Sequence, residues 1–251
     1  AEFKRNSKQS VEAAKEQYRS DRWWGKGTAP LLLSPYYGAL AHFAVSDISF
    51  YVTGCLKGPD TVFLPFNKFF DDEAVEDVPH DRVCHRSEFL WREVWVRESW
   101  INLCHDMIKP LRKKKDTRSI NGWIFPRYHQ WDLVRESLSA VKHGGIGKSY
   151  LVQHSAGSGK TMTIAWLANA LEVCKDSSTG NPLFEGIIIL SDRNVIDQQL
   201  FNQLRDFQSM SGIVERIDNK GQSKGDALSR ALEEGKRIIV CTMQTFVGMA
   251  E

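Results

Sequence analysis

The chain has 251 residues, a hydrophobic fraction of 42% and a formal net charge of +2, enough apolar material for one large or two small cores, which excludes a disordered chain. No apolar run approaches the roughly 20 residues of a membrane-spanning helix and no basic-then-apolar leader opens the sequence, so the cytoplasm is the expected compartment and no membrane partner is expected. Five cysteines without a C-x-x-C pair exclude a disulfide framework and a zinc knuckle, and so small a net charge leaves any nucleic-acid reading to local motifs.

In chain order, "VEAAKEQYRSDR" predicts a helix over 11–22, with Val11, Ala14 and Tyr18 on one face, and "WWGKGTAP" breaks it. "ALAHFAVS" and "ISFYVTGCL" predict a strand pair, and "TVFLPFN" a third apolar run ended by Pro65 and Asn67. The acidic "DDEAVEDVPHD" reads as an exposed loop, and the nearby His80, Asp81, Cys84 and His85 have no familiar metal-site spacing. Ser87 to Ile108 reads as one packed helix with Leu90, Val94, Ile101 and Ile108 at helical spacing, Trp91, Trp95 and Trp100 as packing, and Pro110 as its end. The cations Lys109, Arg112, Lys113, Lys114, Lys115 and Arg118 read as a solvated linker, with DNA contact as the alternative.

From Gly122 the texture alternates. "SYLVQHS", "EGIIILSD", "SGIVERI" and "KRIIVCTMQTF" predict strands, and the amphipathic runs between them predict helices, an α/β pattern of a parallel sheet covered on both faces. The expected divisions are 1–57, 58–121 and 122–251.

"HSAGSGKT" carries the chemistry. A turn at Gly157, Ser158 and Gly159 would point backbone N–H groups inward at the head of a helix, where Lys160 would reach terminal phosphates and the Thr161 hydroxyl would ligate Mg²⁺. The usual glycine of such a loop is replaced by His154, whose expected part is that of a spacer or loop-shaping residue. Upstream, Gln130 could read an adenine edge while Arg127 or Tyr128 stacks on the ring, although Gln130 also suits a helix start. Downstream, Asp192 and Arg193 close one strand and Thr242 and Gln244 another; Arg193 and Thr242 are candidate DNA-backbone contacts, with a salt-bridged strand end and a polar cap as the plainer alternatives.

In that order "FLPFN", "SEFLWREVWVRESWINL", "FPRYHQ", "VQHSAGSGKT", "IIILSDR" and "IIVCTMQTF" resemble the motor (R) subunit of type I restriction enzymes, over most of the chain. His154 is the family's own spelling. The resemblance implies a first RecA-like lobe of a superfamily 2 translocase, preceded by the C-terminal part of a PD-(D/E)xK-type nuclease domain. It assigns "EFK" to the E-x-K motif, with Glu2 as a Mg²⁺ ligand and Lys4 on the developing phosphate charge. It further implies ATP and Mg²⁺ as cofactors, double-stranded DNA as substrate, and methyltransferase and specificity subunits as partners. The strand with the first nuclease aspartate, the DEAD-type segment and the second lobe are not in these 251 residues, and Ala14 stands where some members carry glutamine, so the expectation is a fragment inactive alone. The alternatives are a generic superfamily 2 helicase fragment and a nucleotide-binding fragment without activity.

Overall fold

The computed structural model describes residues 1–4, 10–23, 31–35, 37–68, 86–113, 116–145, 147–176, 178–192, 194–207, 214–217 and 224–250. The acidic segment, the His80 to His85 group, Lys114, Lys115 and Arg193 lie outside the described residues. Two compact units divide the chain, Ala1–Asp132 and Leu133–Glu251. Among the described residues no helix is long and apolar enough to cross a membrane.

The first unit is built on a four-stranded sheet, β1 (Glu2–Phe3), β2 (His42–Val45), β3 (Phe50–Thr53) and β4 (Leu64–Pro65), in that order. β1 joins β2 in parallel, and the other pairs are antiparallel. Pro65 sits inside β4 rather than ending the run before it, which an edge strand tolerates because a missing N–H costs no ladder bond there. The helix α1 (Val11–Ser20) starts where Ser10 accepts a hydrogen bond from the Ala13 N–H. Its inner face, Ala14 and Tyr18, packs on Ala44, Leu56 and Phe63. Because side chains alternate along β2, Phe43 faces the other way, into an aromatic cluster with Phe66, Trp95, Trp100 and Phe125.

Ser87 to Ile108 is not one helix. A π-helical turn (Leu90–Val94), the short α2 (Arg97–Asn102) and a second π-helical turn (Leu103–Met107) follow one another, with Val96 extended at φ −66° and ψ 149°. The buried residues explain the break. Val94 and Leu103 are both fully buried, yet they lie about two and a half α-helical turns apart, so an unbroken helix would aim them in opposite directions. Ile101, expected on the inner face, is exposed, and so is Trp91.

The basic run is likewise more than a linker. β5 (Lys109–Lys113) and β6 (Asp116–Ile124) form an antiparallel hairpin with irregular register around Arg112. Its apolar end anchors it: the Trp123 N–H donates to the Gly54 carbonyl at 2.7 Å, and its indole Nε1 donates to the Pro35 carbonyl at 3.0 Å. β6 runs unbroken through position 121/122, and the compact units part only after Asp132.

His42 is buried beside Tyr18, ring centroids 5.4 Å apart. Burial, with a smaller push from the Ala1 amino group, lowers its pKa to about 4. The unfolded chain takes up this proton first, so the stability it confers is full above the unfolded value and falls as pH drops toward the folded one. Urea unfolding should show the first unit losing about 2 kcal/mol between pH 7 and pH 5 from this residue, a loss that His42→Gln abolishes. An equal loss in that variant would refute the assignment.

The second unit opens with α3 (Tyr128–Gly144), a helix that begins in the first, and continues with α4 (Lys160–Glu172), β7 (Ile187–Ser191), α5 (Asn194–Phe207), β8 (Val214–Arg216), α6 (Lys224–Glu233), β9 (Ile238–Thr242) and α7 (Met243–Ala250). The sheet order β7-β9-β8 is all parallel, with the wholly buried β9 in the centre. Ile238 and Val240 pack with Ala165, Ala168, Leu200 and Leu204, while Ile239 and Cys241 pack with Leu228 and Ala231. Both faces are therefore covered, as the continuous apolar runs require. The final run divides: "IIVCT" is strand, and "MQTF" turns into α7.

Candidate functional site

α4 begins at Lys160 directly after a glycine turn. Gly157 has φ 74° and Gly159 φ 87°, left-handed values that glycine adopts without the clash a Cβ would bring. Ser158, between them, is buried, and no side chain caps the helix. The backbone N–H groups of Lys160 and Thr161 have no acceptor among the described residues, so they and the positive end of a 13-residue helix face the loop. Lys160 Nζ donates to the carbonyls of His154, at 3.1 Å, and Ser155, at 2.8 Å. His154 thus contributes a main-chain oxygen, which any residue there would supply. Orphan N–H groups beside an ammonium are the donor set a polyphosphate needs, so the residues present fit ATP, and the Thr161 hydroxyl on the same first turn is the residue that would hold Mg²⁺.

The strand expected before the loop is not formed. Residues 148–155 carry no regular structure, with Tyr150, Leu151 and Val152 exposed, Leu151 at 96%. These residues have strand chemistry, but the described sheet β7-β9-β8 provides no ladder for them, and an unladdered run does not hold a strand.

Upstream, Gln130 is buried and its Oε1 accepts the Arg127 N–H at 2.9 Å. Arg127 precedes the first residue of α3, so the bond is the back-reaching half of a capping box, and the helix-start alternative describes what is seen. Tyr128 is enclosed by Phe66, Phe89 and Trp131, which removes it as a stacking plane and leaves the Arg127 guanidinium, unbonded among the described residues. At the other strand end, Thr242 is buried and its hydroxyl pairs with that of Thr245 at 2.9 Å while accepting the Thr245 N–H, a cap on α7. The exposed polar groups at these strand ends are Gln244 and Asp192.

In the first unit, alternation along β1 puts Glu2 and Lys4 on one face and Phe3 on the other, 6.1 Å from Trp95. Glu2 Oε1 lies 3.2 Å from Lys4 Nζ, and Glu2 Oε2 accepts a short hydrogen bond from Arg22. The side chains of Glu2 and Lys4 are 14% and 7% exposed. The donor set does not fit a divalent metal: both oxygens of a single carboxylate face cations, and no group of three ligating side chains exists among the described residues. Sequence reasoning missed Arg22, which reaches Glu2 only because α1 folds back beside β1, a contact that no local pattern encodes.

Residues 129–251 match the family model described as SWI2/SNF2 ATPase. This stretch is a superfamily 2 helicase-like ATPase region, and an ATPase region implies the use of ATP. Comparison with curated proteins returned no match, and neither did comparison with solved structures.

Proposed function

We propose that the chain belongs to the motor (R) subunit of a type I restriction enzyme, in which ATP hydrolysis drives translocation along double-stranded DNA and is coupled to endonucleolytic cleavage. The observation that carries the motor reading is the uncapped head of α4, with its left-handed glycine turn and Lys160 folded over the loop. Gly157, Ser158, Gly159 and Lys160 would cradle the phosphates of ATP, Thr161 would hold Mg²⁺, and Arg127 would stack on the base beside Gln130. Catalysis would rest on positive charge held at the transferred phosphoryl group. The restriction-specific part is supported by the order of the shared stretches from "FLPFN" to "IIVCTMQTF" and by Glu2 and Lys4 sharing one face of β1. In this reading the nuclease charge falls on Lys4, DNA contacts on Arg193 and the Thr242 strand end, and the subunit works in the cytoplasm with methyltransferase and specificity partners.

The test is ATP hydrolysis by the intact subunit with duplex DNA, with single-stranded DNA or RNA, and without nucleic acid. Stimulation by duplex alone is the expected result. Stimulation by single strands alone would point to a generic superfamily 2 helicase, and an absence of ATP binding would overturn the motor reading.

A further inference from the structure

Two cations meet one carboxylate beside β1, and the excess positive charge has a direction. Lys4 is buried, with three N–H donors and a single acceptor among the described residues, Glu2 Oε1. An ammonium so enclosed calls for further oxygen acceptors, because each unmade bond in a low-dielectric setting is costly. Arg22 closes the group from the solvent side. It follows the end of α1, its N–H donates to the Gln17 carbonyl at 2.9 Å, and its guanidinium lies 5.9 Å from the centre of the Tyr18 ring. One donor of its fork is spent on Glu2 Oε2, the remaining donors have no partner among the described residues, and the side chain is 42% exposed.

We propose that Arg22 and Lys4 together bind a phosphodiester of the DNA backbone, with Glu2 as the residue that positions both cations. One anion against two cations leaves the group at +1, the complement of a phosphodiester's single negative charge, and the two non-bridging oxygens match one ammonium and one guanidinium. A divalent cation meets the opposite sign of field. Arg22 provides the open side through which a backbone phosphate arrives, and Glu2 keeps the guanidinium over the buried lysine until it does. The inference rests on the DNA-acting reading proposed above and adds to it a residue that the E-x-K pattern does not contain.

The test is binding of a short fluorescent duplex by the full chain in EDTA, followed by anisotropy over a range of NaCl concentrations. Arg22→Gln should lower the slope of log K against log salt by about one unit, the signature of one lost phosphate contact, while Arg22→Lys keeps the slope. Glu2→Gln should act in the opposite direction and tighten binding several-fold, because it removes negative charge beside the phosphate; loss of a metal ligand has no effect in EDTA. This second arm stands even if Arg22→Gln does not fold. Arg92→Gln, at an exposed i,i+4 pair with Glu88, is the control for nonspecific charge loss. A wild-type slope in Arg22→Gln, or weaker binding by Glu2→Gln, overturns the proposal. If the wild-type chain binds ATP but no duplex at any salt, the DNA-acting reading falls with it.

Discussion

Lys160→Ala should weaken ATP binding by about thirty- to a hundredfold, the 2–3 kcal/mol of a charge-assisted phosphate contact, and stop hydrolysis in the intact subunit. The loss is specific to the nucleotide because the side chain is exposed and bonds only to two carbonyls of its own loop. Its removal leaves α4 seated by Ala165 and Ala168, so the melting temperature should hold. Lys160→Arg keeps the charge but replaces a compact ammonium with a planar fork, and should recover binding better than hydrolysis. Calorimetric titration with ATP and a thermal melt on the same samples decide the matter. An affinity within about threefold of wild type would show that the loop does not hold the phosphates.

Phe66→Ala should cost about 3–5 kcal/mol, the largest effect expected from any single truncation in the first unit. Phe66 has no exposed surface, and its ring centre lies 5.8 Å from Phe43, 5.7 Å from Phe125 and 5.6 Å from Tyr128. Those partners come from β2, from the end of the hairpin and from the start of α3, so the cavity would loosen three elements at once. Chemical denaturation should show a lower midpoint, and Phe66→Leu should recover more than half of the loss by refilling most of the space. A cost below about 1 kcal/mol would mean that the cluster collapses around the gap.

The second unit was the more legible half because its signals are local. α5 occupies Asn194–Phe207, as its amphipathic repeat predicts, and the runs of isoleucine and valine in β7 and β9 announce a sheet covered on both sides. The glycine turn was legible for the same reason, since φ is a property of single residues. What escaped depends on partners distant in sequence. "SYLVQ" has the composition of a strand, but a strand exists only where another offers it a ladder. The hairpin β5–β6 was hidden by its charges, because what anchors it is Trp123 on Gly54 and Pro35, far back in the chain. The interrupted helix at 90–107 was hidden by a phase slip: each half has correct helical spacing, and only the shared requirement to bury Val94 and Leu103 forces Val96 out of the helix. At the candidate sites, Gln130 and Thr242 carried two readings each, and their geometry is that of helix caps.

The folded-back posture of Lys160 changes what nucleotide affinity measures. A lysine waiting in water would form new bonds to an arriving phosphate, whereas this one must first release the His154 and Ser155 carbonyls. Binding is then an exchange of ligands, and its strength is the difference between two nearly matched sets of bonds. Such a loop keeps its shape between nucleotides, and it favours ligands charged enough to outcompete a pair of neutral carbonyls. Discrimination between triphosphate and weaker anions would begin in that competition, before any base is read.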